Sequence, residues 1–425
     1  PWPGIGLELA ARGNNVEKLF HVAPGADAGA IAVQVGGATS VNLGADGSLI
    51  VGTGNGEIAY TAPVAWQDIE GQRVPVAVRY ALLKDQPGPH SKATARKKGD
   101  ISHRYGFALA AHDARYPLVI DPLIQSTYLG GAGVETINNV ALTSNGDVVV
   151  VGETTSSDFP CTSSASPATD CGDGAQKVFG GAFDGFVALL SGDLKTLKQS
   201  TYLGTSVDDV INSVAVTSDG DVIVGGSTRS NAFPCTSVAM GCGNGAQNSF
   251  GGGNTDSFVA LLSGDLKSLK QSTYLGGTDI DIINGVAVTS NGDVIVVGRT
   301  YSNDFPCTSA TTRCGDGAQK SIGGGLDGFV ARLSGDLKTL RQSTYLGGSL
   351  DDRITGLAVT NTDDVIVGGV TSSSDFLCPA SAATSCGDGA QNSYGGGLSD
   401  GFVARLSSNL KTLQRSKFLG GSISD

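Results

Sequence analysis

Methionine occurs once and tryptophan twice in 425 residues, and lysine and glutamate are sparse, so the chain is short of the residues that build amphipathic helices. It has no apolar run near the roughly 20 residues that span a bilayer, which excludes a membrane-spanning helix. All four histidines, His21, His90, His103 and His112, precede residue 125. The rest of the chain therefore has no imidazole base for a serine or cysteine nucleophile. Walker loops, HExxH, GxSxG and CxxCH are also absent. These absences argue against an enzyme. Carboxylate-pair glycosidase chemistry, which needs only Asp or Glu, stays open.

What is abundant is glycine, serine, threonine and valine, the composition of strands and turns. The net charge is −12. Residues 1–124 are balanced, with 11 basic and 11 acidic side chains, so the whole excess falls on residues 125–425. An acidic surface repels phosphate backbones and excludes nucleic acid as a partner, while cations, glycans or a basic protein surface fit it. One basic cluster, Lys92, Arg96, Lys97 and Lys98, sits in a Pro/Gly-flanked stretch that reads as an exposed loop.

From residue 125 onward the chain repeats. QSTYLGG at Gln125 returns as QSTYLGT at Gln199, QSTYLGG at Gln271 and Gln342, and RSKFLGG at Arg415, a period of about seventy residues. The second repeat holds four strand candidates, Val210–Val216, Asp221–Gly225, Ser257–Leu262 and Gln271–Leu275. Its first two strands are joined by a tight turn, as at the SNGD segments of Ser144 and Ser290, and its last two by SGDLKS. Short links make the unit an antiparallel meander. Several strands are apolar at consecutive positions, which demands cover on both faces, and stacked repeats supply it. The fold class is all-β: a β-propeller of four-stranded blades over about 131–204, 205–277, 278–348 and 349–421, after a smaller all-β domain at 1–124. A parallel β-helix, with its shorter coils, is the competing architecture.

All eight cysteines fall in the repeats, one pair in each long loop between the second and third strands: Cys161 and Cys171, Cys235 and Cys242, Cys307 and Cys314, Cys378 and Cys386. Local disulfides in an oxidising compartment fit this pattern. A zinc site is the rival, but it wants C-x2-4-C spacing and further ligands. By strand direction, these loops and the links joining one repeat to the next emerge at the same end of the blades. Those links carry Glu135, Asp208, Asp209, Asp279, Asp281, Asp351 and Asp352. If the first strands line a channel, these carboxylates ring its mouth, where calcium is the cation they suit. The bland reading makes each a turn cap facing water, and Asp184, Asp256, Asp327 and Asp400 turn formers before the third strand.

Ser157-Asp158-Phe159-Pro160, Asp184-Gly185-Phe186-Val187 and Ser126-Thr127-Tyr128-Leu129, with their later copies, resemble the SBBP-type bacterial β-propeller repeat over roughly 125–425. VAPGADAGAI at Val22, TAPVAWQDI at Thr61, GFALAAHD at Gly106 and YPLVIDP at Tyr116 resemble the all-β domain of unknown function that precedes such repeats. The paired cysteines depart from the usual repeat. The expectation is a secreted or cell-surface, non-catalytic interaction or structural module, presenting disulfide-tied loops to a protein or glycan. Two alternatives stand: a carbohydrate-active or glycan-binding protein using the acidic residues, and a building block of an extracellular filament. After the fourth repeat the chain reads GGSISD, while Gln125–Leu129 supplies an unmatched strand at the front, so either more blades follow or the front strand closes a ring.

Overall fold

The computed structural model describes the chain except residues 1, 13–14, 37, 46, 54–55, 84–102, 122–126, 162–172, 193, 237–238, 241–243, 309–315, 377–390 and 424–425. Two compact units divide it, Pro1–Thr127 and Tyr128–Asp425. The first unit is built of a five-stranded and two three-stranded antiparallel sheets. Phe20, Tyr80, Tyr105 and Phe107 meet at its centre with ring centroids 5.4–6.1 Å apart. Burial pushes the Tyr105 hydroxyl up to about 12.

The second unit contains four four-stranded sheets, each an antiparallel meander in chain order. In the first, strand A is Glu135–Leu142, B Val148–Thr154, C Asp184–Leu190 and D Leu197–Leu203. In the second they are Asp209–Val216, Val222–Thr228, Asp256–Leu262 and Leu269–Leu275. The third runs from Asp281–Val288 to Leu340–Leu346 and the fourth from Asp352–Val359 to Leu413–Leu419. All-β architecture with propeller-like blades is the fold.

Sheets stack because their apolar residues do not alternate. Val149, Val151, Val187 and Leu203 on one face of the first sheet share a core with Ile211, Val224, Phe258 and Tyr274 of the second. The same join recurs between the second and third sheets and between the third and fourth. The A strands of the second, third and fourth sheets pack against strands A and B of the sheet before, so the A strands stand side by side along the stack. Polar ties repeat with the core: Asn138 Nδ2 donates to the Ile211 carbonyl (2.9 Å), Asn212 to Ile283 (2.8 Å) and Asn284 to Ile354 (2.8 Å).

Turn chemistry follows the sequence. Gly146, Gly220 and Gly292 close the A–B hairpins at φ near +85°, and the fourth repeat puts Asp363 there at +62°. Leucine takes a left-handed conformation in each C–D turn, at Leu194, Leu266, Leu337 and Leu410. For a side chain with a Cβ this costs about 1–2 kcal/mol. Burial offsets it. Leu266, Leu337 and Leu410 are fully enclosed, and their carbonyls accept from Ala175, Ala246 and Ala318 of the preceding repeat's long loop.

The tyrosine that recurs in the first three sheets is an internal strut. Tyr274 is fully buried, its hydroxyl donating to the Ser230 carbonyl (2.9 Å) and accepting from Phe233 N (2.9 Å). Tyr202 and Tyr345 do the same for Phe159 and Phe305. The fourth repeat has Phe418, and there Phe376 N turns to the Ser373 carbonyl instead (3.3 Å). Tyr274→Phe is expected to cost about 1–2 kcal/mol in urea melts, because it strands a buried N–H.

Candidate functional site

Glu135, Asp209, Asp281 and Asp352 open the four A strands. The three aspartates are fully buried, so the water-facing reading of them is wrong. Each reaches back to its own link: Asp209 Oδ2 accepts from Thr205 N (2.6 Å), Asp281 Oδ2 from Gly277 N (2.7 Å) and Asp352 Oδ2 from Gly348 N (2.6 Å). Glu135 serves similarly, accepting from Gly131 N (3.2 Å) and Thr154 Oγ1 (2.8 Å).

The register sets a second acid two strands away from each. Across the second sheet, Asp209 pairs with Thr228 and Thr228 with Asp256, and the others repeat this row. The C-strand acids Asp184, Asp256, Asp327 and Asp400 are also fully buried. They bind the end of the long loop through Gly180 N (2.6 Å), Gly251 N, Gly323 N (2.8 Å) and Gly395 N (2.5 Å). At the first two junctions, the C-strand acid of one sheet and the A-strand acid of the next flank one glycine. A Cβ at Gly204 would lie 2.8 Å from Asp184 Oδ1 and 3.0 Å from Asp209 Oδ2, and Gly276 sits likewise between Asp256 and Asp281.

Desolvation dominates their acidity. It pushes Asp209 up to about 6, Asp184 and Asp281 up to about 7, and Asp256 up to about 8, with the facing acid adding to Asp184 and Asp256. Asp208, Asp279 and Asp351 lie outside this belt. Asp208 pairs with Arg229 (2.6 Å), Asp279 Oδ1 accepts from the adjacent Ile280 N (2.8 Å), and Asp351 is exposed.

The acids are distributed over separate junctions: Asp209, Asp281 and Asp352 each bond to the link that precedes their own strand. Calcium wants six to eight oxygens. Each junction offers two carboxylates already engaged by backbone N–H groups, and among the described residues no three His, Cys, Asp or Glu gather to hold a metal.

The cysteine loops also differ from expectation. Their described parts lie along the D strand at the sheet's outer edge: Ser200 N donates to the Cys161 carbonyl (2.9 Å) and Tyr202 N to the Gln176 carbonyl (3.3 Å). Gly317 and Gly245 abut the equivalent strands. An edge strand's free N–H and C=O groups need partners, and the loop supplies them. Cys161 and Cys307 are buried. Cys171, Cys242, Cys314, Cys378 and Cys386 lie outside the described residues, as does the side chain of Cys235 and the cluster Lys92–Lys98.

The sequence reading missed the two end faces. Ile211, Ile283 and Ile354 are fully buried, whereas the same position in the first sheet, Ile137, is 53% exposed. Val140 and Leu142 beside it are exposed too. At the other end, Leu419 is 50% exposed and Val403 39%, where their counterparts Leu346 and Val330 are enclosed. Thr127–Gly130 form no strand, and Tyr128, the counterpart of the buried Tyr202, is fully exposed. The signal was available in the periodicity itself: interface residues recur in the first repeat, which has no four-stranded repeat sheet before it among the described residues.

Residues 1–123 match the model of a domain of unknown function, DUF7948. Over an alignment 256 residues long, which covers 56% of the chain, it is 27% identical to the regulatory protein FlaEY of Caulobacter vibrioides, covering 24% of that protein. The chain thus spans about a quarter of the length of the curated relative it matches.

Proposed function

We propose that this chain is a non-catalytic interaction and assembly module, in which the blade array docks partners by continuing its own sheet-on-sheet stacking. The observation that carries this reading is the pair of apolar end faces, Ile137, Val140 and Leu142 at one end and Val403 and Leu419 at the other. They are the two halves of a contact made three times inside the array. Such halves are heterologous, so their union between copies builds a filament or a closed ring. The relative's printed name, a regulatory protein, accords with an interaction role.

The module belongs outside the cytoplasm, with disulfides joining Cys161 to Cys171, Cys235 to Cys242, Cys307 to Cys314 and Cys378 to Cys386, and with a repeat of SBBP type. Each ring would contribute about 2–3 kcal/mol in the chain-entropy model. Against catalysis stands the bonding of the buried acids to backbone N–H groups at every junction alike. No helix of the described residues is long and apolar enough to cross a membrane.

Sedimentation velocity tests the docking. Association should rise with concentration across the micromolar range, and Ile137→Asp with Leu419→Asp should leave a monomer of unchanged melting temperature. A wild-type chain that stays monomeric throughout, or a double variant that still associates, refutes it.

A further inference from the structure

The second repeat departs from the other three in its S-x-D-F-P segment, and there the surface opens. Elsewhere the aspartate of S-x-D-F-P clasps the link into strand A. Asp158 Oδ1 accepts from Ala132 N (2.9 Å). Asp304 Oδ1 accepts from both the amide and the hydroxyl of Thr278 (2.9 and 3.1 Å), and Asp375 Oδ1 from both donors of Ser349 (3.0 and 2.9 Å). In the second repeat the residue is Ala232. Ser206 holds the place of Thr278 and Ser349 with the same two donors, and no carboxylate accepts from it among the described residues.

A compensating change comes with the alanine. Gly277 could not carry a side chain, since a Cβ there would collide with Asp304 Oδ1. Its counterpart in the second repeat is Thr205, whose hydroxyl turns inward to Asp209 Oδ2 (3.0 Å). This exchange does not fill the space. A cleft of about 450 Å³ remains, lined by Ser206, Arg229, Ser230, Asn231, Ala232 and Phe250. Arg229 is half exposed at its rim and held by Asp208 (2.6 Å).

We propose that this cleft binds a carboxylated monosaccharide of the hexuronic acid type, whose carboxylate takes the position of the missing aspartate. The Ser206 amide and hydroxyl donate to it as Thr278 and Ser349 donate to Asp304 and Asp375, and the guanidinium of Arg229 adds charge-assisted donors. Asn231 meets ring hydroxyls, and Phe250 offers an apolar face to the pyranose. The volume lies within the range of small-ligand sites. This site stands apart from the end faces and does not depend on how the array associates.

Calorimetric titration of the full chain with glucuronate, glucose and N-acetylaspartate tests the assignment. Glucuronate should saturate, with glucose at least about tenfold weaker, because it brings no carboxylate to the Ser206 donors and Arg229. N-acetylaspartate, the peptide-like carboxylate, should bind more weakly than glucuronate. Thr205→Gly with Ala232→Asp restores the sequence of the other repeats, so it should keep the melting temperature and lose glucuronate. Ser206→Ala should weaken binding without unfolding. Absent saturation, glucose equal to glucuronate, N-acetylaspartate tighter than glucuronate, or binding retained by the restored repeat each overturns it.

Discussion

Raising the pH from about 5 to about 8 lowers the melting temperature of the repeat unit, the reverse of ordinary acid denaturation. The cause is the belt of enclosed aspartates. Burial holds Asp209 and Asp327 up at about 6, Asp184 and Asp281 at about 7 and Asp256 at about 8, all above the 3.8 of an exposed aspartate. Between the unfolded and folded values the native state binds more protons than the unfolded chain. Stability is therefore greatest below the unfolded value and drains away as pH climbs through the folded ones. Asp209 alone, shifted from 3.8 to about 6, accounts for about 3 kcal/mol on this scale. Acids lowered by partners, such as Asp173 beside Lys267 and Asp364 beside Arg405, work in the opposite sense. Their contribution is lost only as pH falls below about 4, outside this window. Asp256→Asn keeps the shape, and its amide oxygen still accepts from Gly251 N. The variant should melt higher than wild type at the alkaline end and no higher at the acidic end, flattening the slope. A variant whose melting curve tracks the wild type at every pH would falsify the belt as its source.

The repeat period, the four strands of each unit and the stacking were legible because each rests on local chemistry. The second strand was placed at Asp221–Gly225 and lies at Val222–Thr228, and the fourth at Gln271–Leu275 lies at Leu269–Leu275. Glycine and aspartate at the hairpins, and runs such as Val294–Val297, carry that information in the sequence itself. The acids were not legible in the same way. An aspartate opening a strand reads alike whether it caps toward water or is enclosed between sheets; Asp281 is decided by Gly276 and Asp256, residues of the preceding sheet. The long loops were misplaced for a related reason. Strand direction gives where a loop leaves, while the bonding needs of the D edge decide where it goes, as the Cys161 carbonyl bonded to Ser200 illustrates. The cleft lay hidden in one alanine. Ala232 is unremarked as a residue and informative only against Asp158, Asp304 and Asp375.

Ile283→Asp abolishes cooperative folding of the array, while Ile137→Asp, the same change at the same repeat position, shifts stability by no more than about 0.5 kcal/mol. Ile283 is fully enclosed in the core formed by the second and third sheets, with Ile223, Val259 and Phe329. Deleting its packing costs about 2–5 kcal/mol, and an unpaired buried carboxylate adds about 3 kcal/mol or more. Together these match the whole stability of a typical domain, about 5–15 kcal/mol. The backbone tie fails with it, because the Ile283 carbonyl is the acceptor for Asn212 (2.8 Å) and an unseated strand withdraws it. Ile137 is 53% exposed, so a carboxylate there stays in water. The contrast is diagnostic of architecture. In a closed ring of four sheets every such isoleucine faces a neighbour, and both substitutions should be equally ruinous; in an open stack only the internal one is. Urea unfolding followed by far-ultraviolet circular dichroism reads the difference directly. Equal losses for the two variants count against the open stack and, with it, against the exposed faces through which the array meets its partners.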